Sequence, residues 1–327
     1  MKTKNNSVLK VENLKMYFPI KSGIFQRTTG HVKAVNGLSF ELKKRETFSI
    51  VGESGCGKST TGKCLLRLYD ATEGSVYYQG ENILNLSERE FRDKRRDLQM
   101  VFQDPYGSLN PRMTVKQLLI EPLLTHKVCS KKEALSKVHY IVEKVGLRQD
   151  HLNRYPHEFS GGQRQRISIA RAIILQPEVI ILDEAVSALD VSIQSQILNL
   201  LIDLQEEFNL TYLFISHDLN VVNRVSNRIG VMYLGQMMEI GKTDVLFNKK
   251  YHPYTESLLS AIPVSNPRDK KERIILKGDV PDPVSPPKGC PFHGRCPKAF
   301  SRCEIEQPDL HEVESEHWVA CHLYDKG

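Results

Sequence analysis

Long apolar runs are missing from this 327-residue chain. Stretches such as Val179–Leu182 stop at an acid, far short of the ~18 apolar residues a membrane span needs, so the chain is not expected to cross a membrane by itself. The basic, polar start at Met1–Val8 is followed by no apolar segment, so no secretory signal is read and a cytosolic chain is expected. There is no internal repeat and no long low-complexity segment, which removes repeat architectures from consideration. Neither sign of charge dominates. The 45 basic and 39 acidic side chains leave a net charge of +6, a mild excess that suits a phosphate ligand, an anionic membrane surface or plain solubility. Apolar residues at 40% and charged residues at 26% exclude a disordered or fibrous chain, and the length gives a prior of roughly two domains. Cysteine is sparse, with seven in all. Cys56, Cys64 and Cys129 are scattered, whereas Cys290, Cys296, Cys303 and Cys321 crowd the C-terminal end. In a cytosolic chain such a cluster favours metal over disulfides.

What is present through residue 262 alternates short apolar runs with helical patterns, the signature of an α/β fold. Strands are expected at Thr47–Val51, Gly74–Gln79, Val179–Leu182, Thr211–Ile215 and Ile229–Leu234. Several are apolar throughout, as when both sheet faces are covered. Helices are expected at Lys58–Leu68, Lys131–Val145, Gly161–Leu175 and Val191–Phe208. Gln176-Pro177 ends the third of these, because proline blocks continuation. Residues 263–289 are proline-rich, charged and aperiodic, and read as an extended linker with a possible short strand at Ile274–Leu276. Residues 290–327 form the cysteine-rich tail.

Gly52-Glu53-Ser54-Gly55-Cys56-Gly57-Lys58-Ser59 matches G-x-x-x-x-G-K-[ST] between an expected strand and an expected helix. Glycines let the backbone curl so that N–H groups and the positive helix end face a phosphate. Lys58 can reach the terminal phosphates and the Ser59 hydroxyl can ligate Mg²⁺, with Thr60 next in line. A Gly-rich turn that binds nothing is the bland alternative. Val179–Leu182 runs into Asp183 and Glu184. Asp183 at a strand end can hold Mg²⁺ through water. Glu184 points the other way and can polarise an attacking water as general base. Ser160-Gly161-Gly162-Gln163 makes a second anion-seeking helix start, the alternative being a simple N-cap. Since one chain binds one γ-phosphate, this second start suits a nucleotide held by another subunit.

In this combination the chain resembles the ATP-binding cassette (ABC) ATPases from about Val8 to Ile262, with Phe159 where the signature motif usually has leucine. The resemblance implies a P-loop NTPase nucleotide-binding domain over 1–262, with antiparallel β and helical subdomains (the latter about 104–175) and a small Cys-rich C-terminal extension. It implies that Gln103 touches Mg²⁺ and the attacking water, that Ser187-Ala188-Leu189-Asp190 crosses a dimer interface, and that His217 contacts the γ-phosphate. It also implies an aromatic stacked on adenine: Phe18 by spacing from Asn13, with Tyr17 next. Two such subunits would sandwich two ATP molecules. Each site would combine Lys58, Ser59, Gln103, Asp183, Glu184 and His217 of one chain with Ser160–Gln163 of the other. Two departures stand out. Arg45 occupies a turn position where glycine is usual, so that turn is expected to differ locally, and Ala185 replaces a usual proline.

Within that family, Phe102–Arg112, His252-Pro253-Tyr254-Thr255 with a helix over Glu256–Ala261, and an insertion at Gly23–His31 resemble the F-type ATPase subunits of bacterial oligopeptide and dipeptide importers. The implied partners are a D-type sister ATPase, two membrane permeases, one of whose helices would enter a groove formed by Pro105–Met113, and, indirectly, an extracellular peptide-binding protein. No nucleic acid is implied, and the location would be peripheral, at the cytoplasmic face of the membrane. A nickel, glycoside or antibiotic importer of the same group, or a soluble ABC ATPase acting on DNA or the ribosome, are the alternatives. Against the last, residues 58–160 carry no heptads and there is one cassette. The charge run Arg92–Arg96 reads as a solvated helix face, with a membrane-surface contact as the sharper alternative.

The tail spacing Cys290-x5-Cys296-x6-Cys303-x17-Cys321 fits neither the Cys-x2-Cys zinc ribbon nor ferredoxin patterns. The resemblance implies a [4Fe–4S] cluster on these four residues. Zinc is the main alternative, and no metal the third. His293, His311 and His322 are expected at the surface, and Trp318 is expected to pack in the tail.

Overall fold

The structure is a computed structural model, describing residues 6–23, 26–262 and 274–325. The chain divides into two compact units, one of residues 1–42, 48–84 and 216–327 and one of residues 43–47 and 85–215.

The first unit carries a four-stranded sheet in the order Arg27–Lys43, Ser7–Ser22, Glu73–Tyr78, Glu81–Asn82. Its second and third strands pair antiparallel, Val11 facing Val76. The two long strands went unforeseen because polar residues interrupt their alternation. The Gly23–His31 insertion joins them, and Arg27–His31 runs as strand; residues 24 and 25 lie outside the described residues. The same unit holds five strands in the order His311–Glu314, His317–Val319, Gln236–Lys242, Arg228–Tyr233, Thr47–Val51. The last pair is parallel, Ile50 facing Gly230, and the others are antiparallel. The cysteine-bearing tail therefore supplies two strands to the sheet that leads into the glycine-rich loop. Trp318 sits within that pairing, opposite Ile240 and Glu312. Residues 274–276 form no strand, contrary to expectation. The isolated Ile274–Leu276 run has no pairing strand there, and Ile275 is 79% exposed.

The second unit has three parallel strands, Thr211–Ile215, Val179–Asp183 and Leu98–Val101, in register Leu98 to Val179 to Thr211. Thr211–Ile215 and Val179–Asp183 are buried along their whole length, as their unbroken apolar runs dictate. Helices Val115–Thr125, Lys131–Lys144, Gly161–Ile173 and Val191–Phe208 accompany them, the first three each opened by a Ser or Thr capping box. Arg92–Arg96 lies on helix Glu88–Asp97, whose single buried residue is Phe91, and the run is exposed to half-buried. The turn at Arg45 keeps the left-handed conformation despite its side chain, with φ +62°. The Arg45 N–H donates to Thr211 Oγ1 at 2.9 Å and the Glu46 N–H to the Lys43 carbonyl at 3.3 Å. Hydrogen bonds offset the strain.

Candidate active site

Strand Thr47–Val51, fully buried, delivers the chain into the loop 52–57. A Cβ on Gly52 would lie 2.1 Å from the Met232 carbonyl oxygen, and one on Gly57 2.0 Å from that of Ala34. Neither position admits a side chain. Gly57, at φ +104°, stands at the N-cap of helix Lys58–Leu65, and no side chain caps that helix. A helix start without a side-chain cap presents backbone donors and the positive end of its dipole to an anion. Lys58 is 4% exposed, and its ammonium donates to the carbonyls of Gly52 and Glu53, each at 2.8 Å. Burial pushes the Cys56 thiol up, the Lys58 ammonium opposing it. Ser54 and Gly55 are exposed at the tip, and Ser59 and Thr60 are half-buried on the helix.

Glu53 is held from three directions within the same unit. Its N–H donates to the Tyr254 hydroxyl at 2.9 Å, its carbonyl accepts from Lys58, and its carboxylate accepts two bonds from the Arg295 guanidinium, at 2.7 and 3.0 Å. Arg295 also donates to the Tyr233 hydroxyl at 3.3 Å. Sequence reasoning missed Arg295 and Tyr233; Tyr254 was visible only as part of a motif.

In the second unit Asp183 ends its strand 3% exposed. Glu184 follows in the left-handed region at φ +46°, a strained conformation for a side chain of this size. Its N–H donates to the Ile215 carbonyl at 2.9 Å, and its own carbonyl accepts from the Ser187 N–H at 3.1 Å and Oγ at 3.0 Å. So held, Glu184 Oε2 accepts a 2.9 Å bond from Gln103 Nε2. The structure thus brings together the expected base and the expected glutamine. Ser160 caps helix Gly161–Ile173, its Oγ accepting from the Gln163 N–H while Gln163 Oε1 accepts from the Ser160 N–H. A Cβ on Gly162 would meet Ile193 Cγ2 at 2.5 Å, and one on Gly161 would meet Leu189 Cδ2 at 3.6 Å. The signature start therefore lies against the Ser187–Asp190 loop, where Ser187, Ala188 and Asp190 are exposed and Leu189 is half-buried. Tyr106, in the short helix Pro105–Ser108 that follows Gln103, is 56% exposed, with the Arg164 guanidinium 5.5 Å from its ring.

His217, back in the first unit, is exposed beside a turn in which Ser216 Oγ accepts from the Asp218 N–H at 3.0 Å. Phe18 packs edge-on against Tyr69, ring centres 5.2 Å apart, and the Tyr17 hydroxyl donates to Asn36 Oδ1.

In the tail Cys290, Cys303 and Cys321 are buried, Cys296 is half-buried, and all are free thiols. The Cys290 N–H donates to the Cys303 carbonyl at 2.8 Å. Burial pushes Cys290 up to about 12 and Cys321 up to about 11. Among the described residues, however, no group of three or more His, Cys, Asp or Glu side chains is arranged to hold a metal ion. His322, expected at the surface, is buried: its Nδ1 faces Asp325 at 2.9 Å and its Nε2 the Glu306 carbonyl at 2.9 Å. The tail closes over it because these partners satisfy both ring nitrogens. His293 and His311 are half-buried. No helix among the described residues is long and apolar enough to cross a membrane.

The ABC transporter family matches residues 35–187, and the oligopeptide/dipeptide transporter C-terminal region matches residues 238–303. The oligopeptide transport ATP-binding protein AppF of Bacillus subtilis is 56% identical over 97% of this chain and 98% of its own length. The dipeptide transport ATP-binding protein DppF of Escherichia coli is 48% identical over 99% of this chain and 96% of its own. A dimeric bacterial ABC transporter cassette is similar in structure, with a TM-score of 0.64 at 29% identity over 72% of this chain and 98% of that one.

Proposed function

The chain belongs to the ABC transporter ATP-binding proteins and is an ATPase of that family, and from this premise we propose that it hydrolyses ATP to drive the import of oligopeptides or dipeptides. The observation that carries the peptide assignment is similarity that spans both the cassette and the oligopeptide/dipeptide transporter C-terminal region. In this proposal the loop 52–57 with Lys58, Ser59 and Thr60 binds the phosphates of Mg²⁺–ATP, Phe18 stacks on adenine, and Asp183 holds Mg²⁺ through water. Glu184, steered by Gln103, takes the proton of the attacking water, and His217 contacts the γ-phosphate. The left-handed backbone at Glu184 and its bond to Gln103 support that assignment, since a base must be held within reach of the proton it removes. Ser160–Gln163 and the Ser187–Asp190 loop serve a partner's nucleotide. The partners are a sister ATPase and two permeases, with the chain peripheral at the inner membrane face and a peptide-binding protein outside.

The test is uptake of a labelled oligopeptide by cells whose only copy of this chain carries Glu184→Gln. Uptake should cease while ATP binding persists, with hydrolysis down about 10³-fold, within the range for loss of a general base. Normal peptide uptake in that strain, with nickel or another solute excluded instead, would overturn the peptide assignment.

A second proposal concerns Cys290, Cys296, Cys303 and Cys321, which hold a [4Fe–4S] cluster, with zinc as the competing occupant. Four soft donors in one tail, all free of disulfides, support it. A bound cluster would brace the tail. Anaerobic purification should yield about four irons and about four acid-labile sulfides per chain. Stoichiometric zinc or no metal at all would refute it.

A further inference from the structure

We propose that Arg295, a residue of the tail, is a positioning residue for the phosphate-binding loop, setting the affinity for ATP by holding Glu53. The proposal rests on the assignment of residues 52–59 to ATP.

Glu53 ties the loop to the rest of its unit, beside Cys56, whose carbonyl accepts the Gly235 N–H at 2.9 Å. Glu53 uses its N–H, its carbonyl and its carboxylate, and each of these groups has a different partner. Two of the partners, Lys58 and Tyr254, lie in the cassette itself. The third comes from 242 residues away in sequence. The Arg295–Glu53 bond is bidentate and charge-assisted, the geometry that fixes orientation as well as distance. Only 10% of the Arg295 side chain and 25% of the Glu53 side chain are exposed, so water screens the pair far less than the surface pairs elsewhere on the chain. The arginine is itself prevented from swinging away. Tyr233 lies beneath the guanidinium, 5.8 Å from ring centre to carbon, and Phe292, fully buried, packs against both Tyr233 and Tyr254 at 5.4 and 5.2 Å.

The turn that carries Arg295 is short and bracketed. Cys290 accepts from the His293 N–H at 3.1 Å, and Cys296 donates its N–H to His293 at 3.2 Å. Among the described residues, the tail thus hydrogen-bonds the loop through the Arg295 side chain, carried on a hydrogen-bonded turn. If the loop must offer its N–H groups to phosphate in one arrangement, a fixed Glu53 backbone removes alternatives before ATP arrives, and pre-organisation of that kind appears in binding. Glu53 and Arg295 themselves take no part in bond breaking, so the turnover of bound ATP should be little altered.

The experiment is equilibrium binding of Mg²⁺–ATP to the full-length chain, paired with kcat and KM for its hydrolysis. Arg295→Ala should weaken binding about tenfold and raise KM alike, with kcat within about twofold, a size fitting loss of one charge-assisted pair. Arg295→Lys, which retains charge but not the fork, should recover part of the loss. Glu53→Gln should match Arg295→Ala, and the double variant should be no worse than either. Lys298→Ala, which breaks the exposed Lys298–Glu256 pair on the same tail, should leave binding unchanged. Wild-type affinity in Arg295→Ala, full additivity in the double variant, or an equal loss in Lys298→Ala would overturn the proposal. Should Arg295→Ala fail to fold, Glu53→Gln decides alone, and wild-type affinity there is a refutation. Lys58→Ala keeps the underlying assignment separate: if that variant binds ATP normally, the loop is not the ATP site.

Discussion

Two glycine-rich helix starts in this chain look alike in sequence and are built in opposite ways. At Gly57 the helix begins from a left-handed glycine with no side-chain cap. At Ser160 the helix begins with a reciprocal capping box, Ser160 and Gln163 satisfying each other's backbone donors. Glycine serves different ends too. Gly52 and Gly57 are needed because backbone carbonyls occupy the space a Cβ would take, whereas Gly162 is needed because the tip of Ile193 does. The first start is kept open by its backbone, and the second has part of its donors taken by its own cap. A start of the first kind suits permanent affinity for phosphate. The second suits an encounter that happens only when two subunits close.

The contrast can be broken most severely at Gly57. Gly57→Ala forces a side chain against the Ala34 carbonyl at a left-handed φ, a strain on the order of 3 kcal/mol, so ATP affinity should fall about 100-fold. Titration with ATP checks this, and near-normal affinity would show the loop to be pliable.

Next is acid. His252 caps the helix that presents Tyr254 to Glu53, accepting the Tyr254 N–H on Nδ1 at 3.0 Å. Burial drives its imidazole down to about 4. A depressed folded value means the unfolded chain takes up the proton first. Stability should therefore be intact above about pH 6.5 and be lost as pH falls toward 4, by up to about 3 kcal/mol. Urea unfolding at pH 7 and pH 4.5 should show that loss, and His252→Asn should flatten this part of the slope.

The capped start is tested with smaller changes. Gly162→Ala should cost roughly 1–3 kcal/mol of stability through overpacking against Ile193, read by thermal unfolding, and leave ATP affinity of the isolated chain as it is. Ser160→Ala removes the cap and should cost about 1 kcal/mol. In the assembled transporter the same change should slow hydrolysis, and equal rates would deny the start any role across the dimer.

How far these features were legible depended on how local they are. Val179–Leu182 and Thr211–Ile215 announce themselves by unbroken apolar runs, and Val191–Phe208 by its periodicity, because burial on two faces or one stripe leaves a local pattern. The loop 52–59 is a contiguous motif. By contrast, Ser7–Ser22 and Arg27–Lys43 mix polar and apolar residues and draw their stability from cross-strand partners. The expected end of the first helix at Leu68 fails by three residues because Arg67 turns left-handed, at φ +50°. Arg295 was invisible for the same kind of reason: nothing near it in sequence marks a partner at Glu53. The four cysteines show the converse, since their spacing was plain and their arrangement was not.

The tail hairpin carries a consequence for solubility. Strand Gln236–Lys242 is buried at every residue except Lys242, and without a neighbour it would offer a row of unpaired backbone groups flanked by apolar side chains, a template for adding strands from other molecules. His317–Val319 occupies that edge, and the strand left outermost, His311–Glu314, is short, carries Glu312 and Glu314, and breaks register between them. A chain truncated before residue 311 should therefore be prone to self-association through the uncovered edge, so that the last residues act as a chaperone the protein carries for itself.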